Sequence, residues 1–441
     1  MRWVASEIAA IVGGTVHGDP NVEIDRVTQD SREIDSDRWL FVPLVAERDG
    51  HDFVGAAVGA GARLTLASRE VDRGPATVIE VADSSAALLE LGRAARHRLS
   101  AAHVIGITGS VGKTSTKDLV AAVFSRWGDV HASPRSFNNE IGLPLTLVNA
   151  PDGHADCVVL EMGARGAGHI RMLCEIGQPT IGIVTTVGSA HTSEFGSIEA
   201  VADGKGELIE ALPAAGLAVL NADVALVAAM ASRTGARVVT FGGSGDVRAE
   251  SITMSDALVP RFRLVSDWGA IDIELGARGV HLVDNALAAA AAALGTGLPL
   301  EVIAEGLADP VMSPMRMDLT RTAAGARILD DSYNANPMSV AAALRSLAAL
   351  PAERRIAVLG VMAELGTESA QAHAEMAELA ASLGIAVIAV ACPEYGRDVA
   401  HVDDHEAAAE LLGAPGPGDA VLVKGSRVAG LERLVATLTG S

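Results

Sequence analysis

The stretch VIGITGSVGKTSTK, from Val104 to Lys117, predicts a strand, a phosphate-binding loop and the start of a helix. After the apolar strand, Gly109 and Gly112 allow backbone N–H groups to surround an anion. Lys113 has the length to reach terminal phosphates, and Thr114 can offer a hydroxyl to Mg²⁺ at the positive end of the helix. This order favours a nucleotide-phosphate site, and a purely structural glycine turn is the alternative.

The loop departs from the standard P-loop pattern in one position. That pattern has glycine five residues before its Gly-Lys pair, where this chain has Ile107, so the loop's first glycine is Gly109. Behind the loop, apolar residues recur at helical spacing, namely Leu119, Val120, Val123, Phe124 and Trp127. The sequence therefore predicts a continuous strand–loop–helix unit.

Composition limits the class of protein. A chain of 441 residues with 49% hydrophobic and 20% charged residues is typical of a globular protein with about two to four domains. The formal net charge of −21 argues against a nucleic-acid partner, because phosphate binding needs a basic face. Three widely spaced cysteines, Cys157, Cys174 and Cys392, favour a reducing cytoplasm over a disulfide framework or a cysteine metal site.

No targeting or spanning segment is expected. The first twenty residues include Arg2, Glu7 and Asp19 and hold no sustained apolar run, unlike a signal peptide. The alanine-rich run from Ala286 to Gly295 is too short to cross a bilayer, so we expect a buried helix there and no membrane insertion.

The pattern along the chain predicts an α/β protein of three domains, covering residues 1–98, 99–312 and 313–441. In the second, apolar strands alternate with helices, which indicates a mainly parallel sheet covered on both faces. Prolines in LADPVMSPMRMD (residues 307–318) mark a hinge or linker. A second α/β series follows it and predicts a smaller doubly wound domain.

Polar residues follow three strands of the central block. Lys113 and Thr114 follow HVIGIT, Glu161 ends DCVVLE, and His191 lies just past TIGIVTTV. Because ligands collect at the carboxyl ends of parallel strands, we expect these residues on one rim with a metal or phosphate role. A helix-terminal charge for Glu161 and a structural role for His191 are the alternatives.

The segment FGSIEAVADGKGELIEAL (residues 195–212) is ambiguous. Its apolar residues give a partial helical face, yet Gly204 and Gly206 flank Lys205, and each interior glycine costs about 1 kcal/mol relative to alanine. One interpretation is a frayed helix with Lys205 paired to Asp203 or Glu207. The other is close approach of this turn to a ligand, and spacing does not separate them.

Further polar residues lie beyond these segments. Asn285 stands at a predicted helix start, where capping is the simpler interpretation, and Arg316 lies in the linker. The turn DDSYNANP (330–337) follows a strand and suits either a surface turn or a ligand-facing loop. KGSR (424–427) is either an anion-binding strand end or a basic loop.

Together these segments resemble the Mur ligases of peptidoglycan precursor synthesis, and the matches run in the family's order over nearly the whole chain. NNEIG and YNANP favour the branch that adds D-alanyl-D-alanine to UDP-N-acetylmuramoyl-tripeptide. The matching segments are DSR (30–32), DGHDF (49–53), GITGSVGKTSTK (106–117), NNEIGLPLTL (138–147), LEMGARGAGHI (160–170), AHTSEFGSIEAVADGKGE (190–207) and DDSYNANP (330–337).

The resemblance implies a fold and a set of roles. It implies a mixed α/β UDP-binding domain, a central P-loop domain that binds ATP, and a C-terminal Rossmann-like domain that contacts ATP and dipeptide. It also explains Ile107, because these ligases use a T-G-x-x-G-K-T loop. The implied ATP contacts are Thr108, Gly109, Ser110, Val111, Gly112, Lys113, Thr114, Ser115, Asn285, Arg316 and Asp331.

For metal, the resemblance implies two Mg²⁺ ions held by Thr114, Glu161, His191 and a Lys205 that CO₂ has carbamylated. Carbamylation replaces an ammonium, which repels Mg²⁺, with an oxygen ligand. Lys113, Glu161, His191 and Lys205 are the implied catalytic set. The implied substrate contacts are Ser31 and Arg32 for UDP, Asn138 and Asn139 for the sugar side, and Tyr333, Asn334 and Asn336 where dipeptide and ATP meet.

Four positions depart from the family pattern. Asp203 stands where lysine or another residue is usual, Gly204 replaces a usual alanine, His169 replaces a common glutamate, and Val361 replaces a usual aspartate. The last two affect details on the dipeptide side and leave the phosphate and metal set intact.

The implied reaction is ATP-dependent amide formation through an acyl phosphate by a cytoplasmic enzyme, which we expect to be a monomer. The alternatives are the diaminopimelate- or lysine-adding Mur ligase, folylpolyglutamate synthase, a small-molecule kinase, or a nucleotide switch without turnover. DSR (30–32) disfavours the folate enzyme. The third residue of the tripeptide, lysine or diaminopimelate, stays open.

Overall fold

The computed structural model describes residues 1–152, 154–188 and 195–440, without the side chains of residues 100 and 101. The first segment forms a five-stranded sheet of order β2-β7-β6-β5-β4, with only β2 antiparallel to its neighbour, and a short antiparallel pair, β1-β3. Its strands are Trp3–Val4 (β1), Thr15–His17 (β2), Glu23–Ile24 (β3), Arg26–Thr28 (β4), Trp39–Phe41 (β5), Leu64–Ala67 (β6) and Thr77–Glu80 (β7), and its helices are Ala5–Val12 (α1), Val54–Gly59 (α2) and Ser84–Arg98 (α3).

The central segment forms a six-stranded parallel sheet of order β13-β12-β11-β8-β10-β9. Its strands are Ser100–Thr108 (β8), Val130–Ala132 (β9), His154–Glu161 (β10), Ile181–Val184 (β11), Leu217–Asn221 (β12) and Arg237–Phe241 (β13). Its helices are Lys113–Phe124 (α4), Gly142–Val148 (α5), His169–Gly177 (α6), Ile198–Glu210 (α7), Ala225–Ala228 (α8), Leu282–Thr296 (α9) and Leu300–Ala308 (α10).

Separate apolar cores cover the two faces of this sheet. Residues of α3, α5, α6 and α7 pack on one face, and residues of α4, α9 and α10 pack on the other. Every alanine of the run from Ala288 to Ala293 is fully buried. The predictions of a parallel sheet with two covered faces and of a buried alanine-rich helix are therefore confirmed.

A three-stranded antiparallel sheet interrupts the predicted alternation of strands and helices. It consists of Arg248–Met254 (β14), Pro260–Ser266 (β15) and Gly269–Glu274 (β16), in that order. The sequence gives little sign of this sheet, because β14 and β16 are mostly exposed and carry few apolar residues in alternation. The prediction that TIGIVTTV is strand throughout is also wrong at its end, since β11 stops at Val184.

The last segment forms a second six-stranded sheet, of order β17-β18-β22-β19-β20-β21, in which only the β17–β18 pair is antiparallel. Its strands are Asp318–Arg321 (β17), Arg327–Asp330 (β18), Arg354–Leu359 (β19), Ala386–Val390 (β20), Ala400–Val402 (β21) and Asp419–Lys424 (β22). Its helices are Pro337–Ala349 (α11), Ser369–Ser382 (α12), His405–Leu412 (α13) and Glu432–Thr439 (α14). The expected α/β fold class is confirmed.

In the described part of the chain, we find no helix with the length and apolar character needed to cross a bilayer.

One glycine lets α10 pack closely on α4. A Cβ added at Gly306 would lie 2.4 Å from Cα of Val123 and 2.9 Å from the carbonyl oxygen of Ala122. Gly306→Ala should therefore lower the free energy of unfolding by roughly 1–3 kcal/mol, because the backbone of α4 would have to move.

The control is Gly55→Ala, because an added Cβ at this helical glycine has no neighbouring atom within 4 Å. It should raise the free energy of unfolding by roughly 0.4–1 kcal/mol. Urea unfolding measures both, and equal effects would contradict the packing argument.

Candidate active site

The phosphate-binding loop adopts a conformation that its glycines permit. Gly109 and Gly112 have φ of 152° and 84°, and α4 begins immediately afterwards at Lys113. An added Cβ at Gly109 would lie 1.9 Å from Oγ1 of Thr185, and one at Gly112 would lie 2.7 Å from Oδ1 of Asn285. Glycine is thus required at both positions by backbone angle and by space.

A cavity of about 660 Å³ opens at the carboxyl ends of the central strands and faces the turns of the C-terminal sheet. It brings together most of the residues predicted from the sequence. Those that line it are Ser110, Val111, Gly112, Lys113, Thr114, Ser115, Asn138, Asn139, Glu161, Lys205, Asn285, Arg316, Asp331, Tyr333, Asn334 and Asn336. Thr108 and Gly109 lie outside this lining, at the end of β8 and in the turn that follows it.

Lys113 lies in this cavity with its amine held toward the loop. Its Nζ donates a hydrogen bond to the carbonyl oxygen of Gly109 over 2.8 Å. Burial lowers the pKa of Lys113, and the nearby Glu161 carboxylate opposes that shift. The amine is thereby held at the loop, within the same cavity as an acidic side chain.

Glu161 is a buried carboxylate with one free oxygen. The side chain ends β10 and is 1% exposed. Its Oε1 accepts a hydrogen bond from Nδ2 of Asn138 over 2.8 Å, whereas Oε2 has no hydrogen-bond partner within the described residues. The alternative of a helix-terminal charge is wrong, because the next helix starts only at His169.

Lys205 lies inside a regular helix and points into the cavity. Helix α7 is capped by Ser197, and Lys205 is 1% exposed. Burial, followed by the charge of Lys113, lowers the pKa of Lys205 to about 7. The alternative of a frayed helix with Lys205 paired to a neighbouring carboxylate is wrong.

Those two carboxylates have other partners. Asp203 pairs with Arg233 over 3.1 Å, and Glu207 accepts hydrogen bonds from the backbone of Gly168 and Arg171 at the start of α6. The glycines beside Lys205 also have a structural reason. An added Cβ at Gly204 would lie 2.6 Å from the ring of Phe195, and one at Gly206 would lie 2.3 Å from Arg233.

His191, the fourth member of the predicted catalytic set, lies outside the described residues. Its metal role remains a prediction from the sequence.

Two contacts join the phosphate loop region to the C-terminal segment. The guanidinium of Arg316 donates to Oγ1 of Thr114 over 3.2 Å and lies 4.4 Å from the ring centroid of Tyr333. The hydroxyls of Tyr333 and Ser136 form a hydrogen bond. A cation thus already contacts the hydroxyl for which the sequence analysis predicted a metal.

The predicted asparagines divide by what their side chains do. Asn285 does not cap, since α9 begins at Leu282, and it lies against Gly112 of the loop. Asn139 and Asn336 line the cavity but also use Oδ1 to accept backbone N–H groups at the starts of α5 and α11. For these two, a local structural role accompanies the predicted binding role.

The turn after β18 is held by the strand beside it. Lys424, 2% exposed at the end of β22, forms an ion pair with Asp331 and donates to the carbonyl oxygen of Asn334 over 2.9 Å. Both sequence interpretations of KGSR are therefore incomplete, because its lysine is buried and pairs with protein atoms. Lys424 and Arg427 both line the cavity.

A second cavity of about 310 Å³ adjoins the first. The two share Ser136, Asn138, Asn139 and Arg165, and Gln29 of the first segment also lines the smaller one. Neither cavity is lined by Ser31 or Arg32, and the side chain of Arg32 is 87% exposed and paired with Asp30 over 2.6 Å. The structure therefore does not gather these two residues with the rest.

Several cavity residues were not singled out from the sequence, among them Arg165, Glu364 and His281. Arg165 and Glu364 line the site from loops, and Glu364 has φ of 69°. His281 is the residue directly before α9. Its Nδ1 is buried and has no hydrogen-bond partner among the described residues, and burial lowers the pKa of the ring. A polar residue directly before the alanine-rich helix was a usable signal for His281.

One His/Cys/Glu group elsewhere has the spacing of a metal site. Within the described residues, ligand atoms of His373, Cys392 and Glu394 lie within 4.8 Å of one another. However, Nε2 of His373 accepts from the backbone N–H of Met362, and Nδ1 lies 2.7 Å from the carbonyl oxygen of Ser369. Both ring nitrogens are engaged, so this group does not offer an open imidazole ligand.

Comparisons with known proteins agree with this geometry. Residues 107–293 match the Mur ligase middle domain, and residues 315–427 match the Mur ligase glutamate ligase domain. The UDP-N-acetylmuramoyl-tripeptide--D-alanyl-D-alanine ligase of Mycobacterium tuberculosis is 40% identical to this chain, and the alignment covers 99% of this chain and 98% of the relative. The enzyme of the same name from Escherichia coli is 35% identical, and the alignment covers 98% of this chain and 97% of the relative.

Solved structures are also similar. MurF from Acinetobacter baumannii matches with a TM-score of 0.87 and 30% identity, covering 100% of this chain and 99% of that one. MurF from Thermotoga maritima, solved in complex with ADP, matches with a TM-score of 0.81 and 28% identity over 94% and 97%. With full-length relatives at this identity and both family domains present, the chain belongs to the Mur ligase family.

Proposed function

We propose that this enzyme is an ATP-dependent ligase that joins D-alanyl-D-alanine to UDP-N-acetylmuramoyl-tripeptide, forming ADP and phosphate. Full-length relatives of 35–40% identity carry that activity in their names. The observation that carries the proposal is one cavity that gathers Lys113, Glu161 and Lys205 with the turn around Tyr333. A nucleotide, a metal and an acceptor amine can meet there.

The phosphate loop suits ATP. Its glycine turn leaves room for phosphate oxygens beside backbone N–H groups at the start of α4, and Lys113 adds a cation. We infer that Asn285, Arg316 and Asp331 bind the adenosine and phosphate parts, since all three line the same cavity. Arg316 would then release Thr114 when nucleotide and metal bind.

The residues present also fit Mg²⁺. Oε2 of Glu161 is a buried carboxylate oxygen that no described group satisfies, and the hydroxyl of Thr114 is already contacted by a cationic group. Hard oxygen donors of this kind suit Mg²⁺. Bound there, Mg²⁺ ions would neutralise charge on the phosphates of ATP.

We propose that Lys205 contributes as a carbamate. An unmodified ammonium beside a cation site would repel it, and the burial that lowers the pKa of Lys205 to about 7 leaves much of the amine neutral near neutral pH. The neutral amine adds to CO₂, forming an N–C bond and releasing one proton. The product carries the oxygen atoms that a metal ligand needs.

The reaction then proceeds in two steps. The carboxylate of the tripeptide attacks the γ-phosphorus of ATP, which gives an acyl phosphate and ADP. The dipeptide amine attacks the acyl carbon, loses a proton and expels phosphate. Lys113 stabilises the negative charge in the first step by its position, and Tyr333 and Asn334 contact the incoming dipeptide.

The smaller cavity fits the sugar side of the large substrate. Asn138 and Asn139 line both cavities. Gln29, from the first segment of the chain, lines the smaller cavity. We propose three domains, residues 1–98 for UDP, 99–312 for ATP and 313–441 for ATP and dipeptide. Ser31 and Arg32 would contact UDP beyond the described cavities. We also propose that the enzyme is a monomer and acts in the cytoplasm.

Phosphate release should require both UDP-N-acetylmuramoyl-tripeptide and D-alanyl-D-alanine, because the acyl phosphate turns over only when an amine accepts the acyl group. A coupled phosphate assay with each substrate omitted in turn, together with mass analysis of the product, tests this. Phosphate release that is indifferent to the dipeptide would reject the ligase. Parallel assays with lysine- and diaminopimelate-containing tripeptides decide the third residue.

A further inference from the structure

We propose that Lys424 and Ser426 are positioning residues that hold two active-site loops in fixed relation to each other. The loops are the turn at residues 330–337 and the loop at residues 360–366, which follow β18 and β19. Strand β22 lies between those two strands, and KGSR leaves its end. The inference rests on the proposed function, because it assigns these loops to the dipeptide side.

Lys424 and Ser426 hold the first loop. The amine of Lys424 pairs with the carboxylate of Asp331 and donates to the carbonyl oxygen of Asn334. The hydroxyl of Ser426 donates to the carbonyl oxygen of Ala335 over 3.3 Å. Three points along the turn are thus bound to the end of β22, and the cavity residue Tyr333 lies between them.

The same short segment holds the second loop. The backbone N–H of Gly360 donates to the carbonyl oxygen of Lys424, and the N–H of Ser426 donates to that of Val361, both over 2.9 Å. The hydroxyl of Ser426 also accepts the N–H of Ala363 over 2.9 Å. That bond lies next to Glu364, which lines the cavity.

The side chain of Ser426 therefore connects the two loops by hydrogen bonds. Its hydroxyl accepts from one loop and donates to the other, and the residue is buried. A hydroxyl is needed because it can donate and accept at once. Removing it breaks one hydrogen bond to each loop but removes no atom that lines the cavity.

The test is Ser426→Ala, with Ser346→Ala as the matched control. Ser346 is another buried serine of the C-terminal segment, and its hydroxyl donates within α11 to the carbonyl oxygen of Ala342. We expect Ser426→Ala to raise KM for D-alanyl-D-alanine and to lower kcat, roughly tenfold in kcat/KM, because small misplacement of reacting groups is costly. KM for UDP-N-acetylmuramoyl-tripeptide should stay within a factor of two of wild type.

Several outcomes decide the matter. Ser426→Thr, which keeps the hydroxyl, should recover most of the lost dipeptide affinity, and both alanine variants should show similar losses in Tm. Equal kinetic constants for the Ser426→Ala and Ser346→Ala variants would overturn the inference. A wild-type enzyme that forms no amide product would instead reject the proposed function, so the two failures are distinguishable.

Discussion

Lys205→Ala should lower the rate of amide formation by at least about a hundredfold, comparable to removing one essential electrostatic contact. The side chain is buried in the cavity, and burial lowers the pKa of its amine to about 7. Alanine removes both the amine and any carbamate formed from it. Added bicarbonate should not restore turnover, because no amine remains to modify.

A direct measurement separates the carbamate from a plain structural role. With ¹³C-labelled bicarbonate, the wild-type protein should show a carbamate carbon signal by NMR, and Lys205→Ala should lack it. At fixed dissolved CO₂ the signal should grow as pH rises through about 7, because only the neutral amine reacts. Lys117→Ala changes another buried lysine and should retain the signal. Undiminished turnover of Lys205→Ala would reject the metal-ligand role.

Glu161→Gln should be the second severe change, with kcat reduced by roughly a hundred- to a thousandfold and a higher Mg²⁺ concentration needed for half-maximal rate. Glutamine keeps the shape and can still accept from Asn138, but it places a neutral amide where the buried oxygen Oε2 lacks a partner in the described residues. Titration of initial rates with Mg²⁺ measures the effect.

Glu207→Gln is the matched control for this second prediction. Glu207 is also buried, but both of its oxygens accept backbone N–H groups at the start of α6. Its substitution should lower Tm and leave the Mg²⁺ requirement unchanged. A parallel shift in the Mg²⁺ requirement of both variants would contradict a specific role for Glu161.

The phosphate loop and the central sheet could be predicted because local sequence determines them. The glycine spacing, the apolar strand and the helical repeat after Lys113 each indicate the same unit, and the structure forms it. Glu161 followed from the rule that ligands collect at strand ends, since its strand is an uninterrupted apolar run.

The parts that sequence did not predict depend on contacts between distant segments. Lys424 pairs with Asp331, which lies 93 positions away in the chain. A lysine at the end of a predicted strand therefore did not indicate a buried ion pair. The glycines beside Lys205 left a frayed helix and close approach to a ligand equally open, whereas in the structure they accommodate Phe195 and Arg233. Strands β14 and β16 lack the apolar alternation that reveals a half-buried strand.

The shared wall of the two cavities has a consequence for inhibitor design. Ser136, Asn138, Asn139 and Arg165 line both cavities, so a sugar mimic in the smaller cavity and a phosphate mimic in the larger one would border the same residues. A short tether between two weak fragments would make the second attachment intramolecular, and avidity could exceed either affinity by roughly a hundredfold or more.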